Sequence, residues 1–62
     1  MNRNCKEDLI NEIEQNKGLL SIKALGEYRK NGIVVETRRA ATGFVFDREL
    51  LLNDGTSIVA WI

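Results

Sequence analysis

The chain has 62 residues, of which nine are basic and nine acidic, so its formal net charge is zero. Its one cysteine, Cys5, and its lack of histidine exclude an internal disulfide and argue against a structural zinc site. A balanced charge also argues against a strong nucleic-acid binder, because neutralising phosphates supplies much of such a protein's affinity. We therefore expect no metal and no other cofactor.

The length predicts a single domain with a marginal core. A chain this short buries only about 60% of the surface that its unfolded form exposes, which favours association with another molecule. No apolar run reaches the ~20 residues of a membrane span, and the N-terminus leads into no secretory signal. With one free cysteine, these features predict a cytoplasmic protein that forms a homo-oligomer or binds a partner.

Residues 5–17 are predicted to form a helix. Asn4 is the expected cap, with Glu7 three residues later as in a capping box, and Gly18 is the expected stop. Glu12 is expected to face water. The apolar positions follow helical spacing and predict one narrow stripe that packs on a sheet: Cys5, Leu9, Ile10 and Ile13.

Two dipeptides, Asn31-Gly32 and Asp54-Gly55, predict β-hairpins, because both tolerate the positive φ angles of tight turns. In its simplest register the second hairpin places Leu51 opposite Ile58. For the first hairpin, a two-residue turn would bring two glutamates opposite each other, whereas a three-residue loop would avoid that repulsion. The sequence leaves the register of the first hairpin open.

The predicted strands cover residues 19–30, 33–40, 44–46, 49–53 and 56–62. Residues 40–43 are either a turn or a bend within one long strand. This order predicts an α+β domain in which the short N-terminal helix packs on a four- to five-stranded antiparallel sheet. The sheet is expected to be strongly bent or to close into a small barrel.

Basic residues are densest around the first predicted hairpin, beside a tyrosine. They form a candidate partner-binding surface for phosphate or for an acidic protein. The alternative is a solvated strand face, because adjacent strand residues point to opposite sides of a sheet. The candidate residues are Tyr28, Arg29, Lys30, Arg38 and Arg39.

The last predicted strand ends on large apolar residues, Trp61 and Ile62. Left in water they would form an exposed apolar patch, so we expect them to be held in the sheet or to pair with a second chain. They are the candidate oligomer interface.

No group of residues predicts catalysis. Cys5 lies near a helix N-terminus, which can activate a nucleophile, but no histidine is present to act as its base. Of three carboxylates close in sequence, Asp47 and Asp54 lie at predicted turns, where aspartate is common, and Glu49 lies between them. We expect a protein that is not an enzyme.

The segment Phe46-Asp47, followed shortly by Leu50-Leu51-Leu52-Asn53, resembles the Sm-like RNA-binding barrels, as does the order of one helix and five strands. The resemblance implies a closed barrel. The sequence lacks that family's glycine pattern in the second strand and its Tyr-Lys-His segment, so no site residue is transferred.

Taken together, these features predict a small non-enzymatic cytoplasmic protein that works by binding a macromolecular partner. This profile is typical of accessory proteins or inhibitors from phages and mobile elements. The alternative is an oligomeric small-barrel protein that binds RNA or DNA through the basic hairpin. In both cases we expect a homo-oligomer and no membrane association.

Overall fold

Two helices lie on one face of a three-stranded antiparallel sheet in the computed structural model, which describes residues 2–40 and 47–62. The elements are α1 (Lys6–Gln15), α2 (Ile22–Lys30), β1 (Val34–Arg39), β2 (Asp47–Leu52) and β3 (Ser57–Trp61). The strand order is β1-β2-β3, and the sheet is open.

The N-cap of helix α1 lies one residue after the predicted cap, Asn4. Its N-cap is Cys5, which is exposed and makes no side-chain capping bond. Asp8 in the first turn instead accepts a hydrogen bond from the Asn4 backbone N–H at 3.2 Å. At the other end, the Gly18 N–H donates to the Ile13 carbonyl at 2.8 Å, and Gly18 has a φ of +93°. The helix itself ends at Gln15 with Asn16 as its C-cap, two residues before the predicted end, and the predicted glycine closes the turn that follows.

The prediction of a strand at 19–30 is wrong, because most of this segment forms α2. Ala24 and Tyr28 are buried, and their spacing of four places them on one face of the helix, while Leu20, just before the N-cap, is buried beside them. The Ser21 hydroxyl caps the helix by accepting a hydrogen bond from the Ala24 N–H at 3.1 Å.

Asn31-Gly32 ends α2 and is not the turn of a hairpin. Asn31 is the C-cap, and Gly32 has a φ of +77°, a left-handed conformation that glycine adopts without strain. The Ile33 N–H then donates to the Tyr28 carbonyl at 2.9 Å, closing the last turn. A glycine at the end of a helix and a glycine in a tight hairpin need the same backbone freedom, so the dipeptide fits both structures.

The predicted four- to five-stranded, strongly bent sheet or barrel is therefore also wrong. The segment 19–30 contributes a helix, and the described residues contain three strands whose sheet has two edges, β1 and β3. This corrects the closed barrel that the resemblance to Sm-like proteins implies. The predicted strand at 44–46 lies outside the described residues.

Strand β1 pairs with β2 through a β-bulge. Val34 lies opposite Leu52, and Glu36 lies opposite Leu51, so Val35 is the extra residue. Because both bulge residues oppose Leu51, Val35 and Glu36 face the same side of the sheet as Leu51.

The Asp54-Gly55 hairpin exists, but its register differs by one residue from the simplest prediction. Ile58 lies opposite Leu50, not Leu51, because the loop has three residues, 53–55, and not two. The Asp54 carboxylate accepts hydrogen bonds from the Thr56 N–H at 2.9 Å and the Thr56 hydroxyl at 2.6 Å. Gly55 supplies the positive φ, +87°, that this longer loop requires.

The core lies between the helices and the sheet. Leu50, Leu52 and Ala60 point toward the helices and are buried, as are Leu9 of α1 and Tyr28 of α2. Since side chains alternate along a strand, the residues between them face the opposite side, which neither α1 nor α2 covers. This second side of the sheet is where a partner can reach the strands.

Candidate interaction surface

The side of the sheet away from the helices, which we call the open face, combines apolar and acidic side chains. Leu19 extends it, because it forms a parallel bridge with Trp61 beside β3. The strand register and the burial pattern place the following residues on it: Val35, Glu36, Arg38, Asp47, Glu49, Leu51, Ser57, Val59 and Trp61.

Exposed large apolar side chains concentrate on the open face. Among the described residues five are exposed, and four of them lie here: Leu19 at 47%, Val35 at 55%, Val59 at 48% and Trp61 at 48%. The fifth, Ile22, is on α2. Single exposed apolar residues are ordinary, but several on one face indicate a surface that another molecule covers.

Trp61 borders two hollows in the surface. One, of about 260 Å³, is lined by Lys17, Gly18, Asp47, Val59, Ala60 and Trp61. The other, of about 460 Å³, lies where β3 meets the segment between the helices and is lined by Glu12, Asn16, Leu19, Leu20, Ser21, Trp61 and Ile62. The Trp61 side chain thus lies between two hollows that a partner's side chains can fill.

The strand charges on the open face are mainly acidic. Glu36, Asp47 and Glu49 outnumber Arg38, and the Arg38 Nε lies 2.8 Å from the Glu49 Oε1 in an ion pair. Lys17, at the rim of the smaller hollow, does not reverse this excess. A phosphate backbone would be repelled here, whereas a protein surface with basic side chains would be attracted.

The basic residues that the sequence grouped together are not gathered in the structure. Arg38 lies on the open face, whereas Arg39 lies opposite Arg48 and points to the other side of the sheet. Arg29 and Lys30 are in the last turn of α2. The predicted basic surface required a hairpin of two strands. The segment predicted as the first of these strands forms the helix α2, so the basic residues are not brought together.

Tyr28, the aromatic member of that predicted surface, is fully buried. Its hydroxyl donates to the Glu12 Oε1 at 2.8 Å. The Arg3 guanidinium forms a two-point contact with Glu12, Nε to Oε1 and Nη2 to Oε2, both at 3.0 Å, and also reaches Glu27. We call Arg3, Glu12 and Tyr28 the buried cluster.

The buried cluster is structural. The hydrogen bonds from Arg3, with that from Tyr28, hold the pKa of the Glu12 carboxyl below its ordinary value. Burial, reinforced by the hydrogen bond to Glu12, raises the pKa of the Tyr28 hydroxyl. Because Arg3 and Tyr28 already occupy the carboxylate, Glu12 is not placed to remove a proton from a substrate.

A second cluster joins α1 to the β2–β3 hairpin at the surface. The Lys6 ammonium contacts the Asp54 Oδ2 at 3.0 Å and the Thr56 Oγ1 at 3.1 Å. Hydrogen bonds from the Thr56 hydroxyl and N–H, and then from Lys6, hold the pKa of Asp54 below its ordinary value. We call Lys6, Asp54 and Thr56 the hairpin cluster.

The two residues of the predicted oligomer interface have different environments. Trp61 is half-exposed on the open face, and its backbone is fixed by the segment between the helices. Its N–H donates to the Gly18 carbonyl at 2.7 Å, and its carbonyl accepts from the Leu20 N–H at 2.8 Å. Ile62 is partly buried and packs against the core. Trp61 is therefore the residue of this pair that a partner can reach.

Sequence reasoning missed the role of Glu12, which was expected to face water and is 5% exposed. A signal was present, because Glu12 lies three residues after Leu9 and so near the apolar stripe. Because the sequence pattern placed its partner Tyr28 in a strand, it did not indicate that the tyrosine hydroxyl could bond to Glu12. Cys5, expected within the stripe, is exposed.

Within residues 2–40 and 47–62, no three histidine, cysteine or acidic side chains are close enough to hold a metal ion. In the same part of the chain, no helix has the length and apolar character needed to cross a membrane. No family model, no curated protein and no solved structure matches this chain.

Proposed function

We propose that this chain is a small non-enzymatic cytoplasmic binding protein that docks its open face on a partner protein. The observation that carries the proposal is the placement of four of the five exposed large apolar side chains on that one face. Binding alone is the proposed mode of action, by blocking a functional surface of the partner or by holding it in a complex.

The energetics favour Trp61 as the anchor. Fully burying a large apolar side chain contributes about 1.5–3 kcal/mol, and tryptophan is the residue type most enriched among those that dominate interface energy. Trp61 and Val59 are both about half-exposed, so each has surface left to bury. The neighbouring hollow gives a partner's apolar side chain a place beside the indole.

The charge of the open face defines the partner's chemistry. Glu36 is exposed beside Val35 and has no ion pair among the described residues, so the partner is expected to present apolar side chains beside lysine or arginine. The alternative of RNA or DNA binding depends on four basic residues, of which Arg38 lies on the open face and the others lie elsewhere: Arg29, Lys30 and Arg39. It stays a prediction, and unchanged nucleic-acid binding in a variant with Arg38→Glu and Arg39→Glu would reject it.

Site-specific photo-cross-linking in the native cell tests the proposal. A photoreactive amino acid replaces Ser57, which is exposed on the open face, or Arg29, which is exposed on α2. We expect position 57 to cross-link one protein in particular and position 29 not to. Cross-linking only from position 29 would contradict the proposal.

A matched pair of substitutions extends that experiment. Val59→Asp places a charge in the centre of the open face, whereas Ile22→Ser removes the exposed apolar side chain on α2. With folding verified by circular dichroism, cross-linking from position 57 should be lost in the first variant and kept in the second. Retention in Val59→Asp would mean that the open face does not bind the partner.

A further inference from the structure

Strand β1 is an edge strand with backbone groups that point away from the sheet. The Ala40 N–H donates to the Asp47 carbonyl at 3.4 Å, so the backbone groups of Ala40 point toward β2. Along a strand, the backbone N–H and C=O groups of successive residues point to alternate edges. Those of Arg38 therefore point to β2, and those of Thr37 point away from the sheet. Within the described residues, no other segment pairs with this outer side of β1.

The two edges of the sheet differ. At the β3 edge, the Trp61 backbone is bonded to Gly18 and Leu20, so part of that edge is closed. The β1 edge has no such cover among the residues described. An uncovered edge offers hydrogen-bonding groups to another strand, and proteins usually protect it or use it.

We infer that two copies of this chain associate through β1, in antiparallel register about a two-fold axis at Thr37. Such a register places Glu36 of each copy opposite Arg38 of the other copy. At the axis, Thr37 pairs with Thr37, and the outward N–H and carbonyl of each exchange hydrogen bonds. Opposite charges and threonine pairs are both favourable cross-strand neighbours.

The side chains that this register needs are accessible. Arg38 is 55% exposed, and its ion pair with Glu49 uses the Nε atom, which leaves the two terminal nitrogens for a second carboxylate. Glu36 is exposed and has no ion pair among the described residues. Arg38 can therefore bridge Glu49 of its own chain and Glu36 of the second copy.

Charge selects this register over its neighbour. Moving the axis to Arg38 would place Arg38 opposite itself, which is repulsive. The β-bulge at Val35 limits regular pairing to the residues that follow it, so the interface is short and the association weak. The two three-stranded sheets would then join into one, with both open faces on the same side.

Sedimentation velocity over a range of concentrations tests the inference. The unmodified chain should form dimers as its concentration rises. Glu36→Arg should raise the dissociation constant by about tenfold or more, because it places arginine opposite arginine twice. Arg48→Glu is the control: it reverses an exposed charge of β2 that makes no ion pair among the described residues, and dimerisation should persist.

A complementary variant decides the register. Arg38→Glu combined with Glu49→Arg keeps an ion pair within the chain but presents glutamate at position 38. Alone it should be monomeric, and mixed with Glu36→Arg it should form a heterodimer, because arginine and glutamate then face each other at both positions. No dimer of the unmodified chain, or no recovery on mixing two folded variants, would overturn the inference.

That outcome is separate from the proposed function. A monomer whose position 57 still cross-links a partner would reject pairing through β1 and keep the binding role of the open face. A dimer that cross-links no partner would keep pairing through β1 and reject the binding role of the open face.

Discussion

The buried cluster and the hairpin cluster both hold α1 against the rest of the chain, and both centre on one carboxylate. They differ in access to water. Glu12 is 5% exposed, whereas the Lys6 and Asp54 side chains are 37% and 44% exposed. When a contact breaks at the surface, water replaces the lost partner, but a buried group stays unpaired. The contacts of the buried cluster should therefore contribute more to the free energy of unfolding than those of the hairpin cluster.

The largest effect is expected from Glu12→Ala, which leaves the Tyr28 hydroxyl buried without its acceptor and Arg3 without its main partner. Breaking a buried ion pair costs about 3–5 kcal/mol, and Arg3 is partly exposed, so we expect about 3 kcal/mol. A chain of this length has a free energy of unfolding of about 3–9 kcal/mol. Urea unfolding followed by circular dichroism should show the free energy of unfolding reduced by about 3 kcal/mol, a third or more of the total.

Glu14→Ala is the control for that substitution, because Glu14 is an exposed glutamate of the same helix. Its free energy of unfolding should stay within about 0.5 kcal/mol of the parent value. Equal losses in the two variants would mean that the effect of Glu12→Ala does not come from the buried cluster, since alanine has the higher helix propensity at both positions.

Tyr28→Phe should have a smaller effect, about 1–2 kcal/mol, because it removes one hydrogen bond and leaves Glu12 paired with Arg3. The ring still fills its place in the core. The measurement is again the free energy of unfolding in urea. A loss as large as that of Glu12→Ala would show that the hydroxyl is the main partner of the carboxylate.

Acid should weaken both clusters. The pKa values of Glu12 and Asp54 are held below the ordinary range in the folded chain. The folded state therefore takes up a proton less readily than the unfolded state. The resulting stabilisation is complete above the unfolded-state pKa of about 4 and is lost as the pH falls below it. The melting temperature should be flat near neutral pH and fall in acid, less steeply in Glu12→Gln.

The smallest effect is expected from Asp54→Ala. The hairpin loses the bonds that fix its turn, but water can solvate the freed Thr56 N–H and Lys6. The free energy of unfolding in urea should fall less than in Tyr28→Phe. Asn53→Ala in the same turn is the control and should change it less still. A greater loss than in Tyr28→Phe would remove the distinction between the two clusters.

The sequence predicted those parts of the fold that local residues determine. Segments 33–40 and 56–62 contain β1 and β3, and 5–17 contains α1, whereas the predicted strand 49–53 only overlaps β2, which begins at Asp47. The segment 19–30 was ambiguous, because Leu20, Ile22 and Ala24 alternate as in a strand, while Leu20, Ala24 and Tyr28 repeat as in a helix. Only packing against the sheet decides between the two patterns.

The candidate site was predictable in part. Trp61 was named from sequence, because an apolar strand end indicates an interface, and the structure places it on the open face. Its companions Leu19, Val35 and Val59 could not be grouped with it, because the bulge and the three-residue hairpin loop decide which side each residue faces. A register change of one residue moves every side chain to the other side.

The bridge between Leu19 and Trp61 also affects how the chain folds. The β2–β3 hairpin joins neighbouring residues and can close quickly, whereas this bridge must bring together residues far apart in sequence, which costs more chain entropy. Trp61 is the chain's single tryptophan, so its fluorescence follows this slower step. In stopped-flow refolding, tryptophan fluorescence should therefore lag behind the formation of the hairpin.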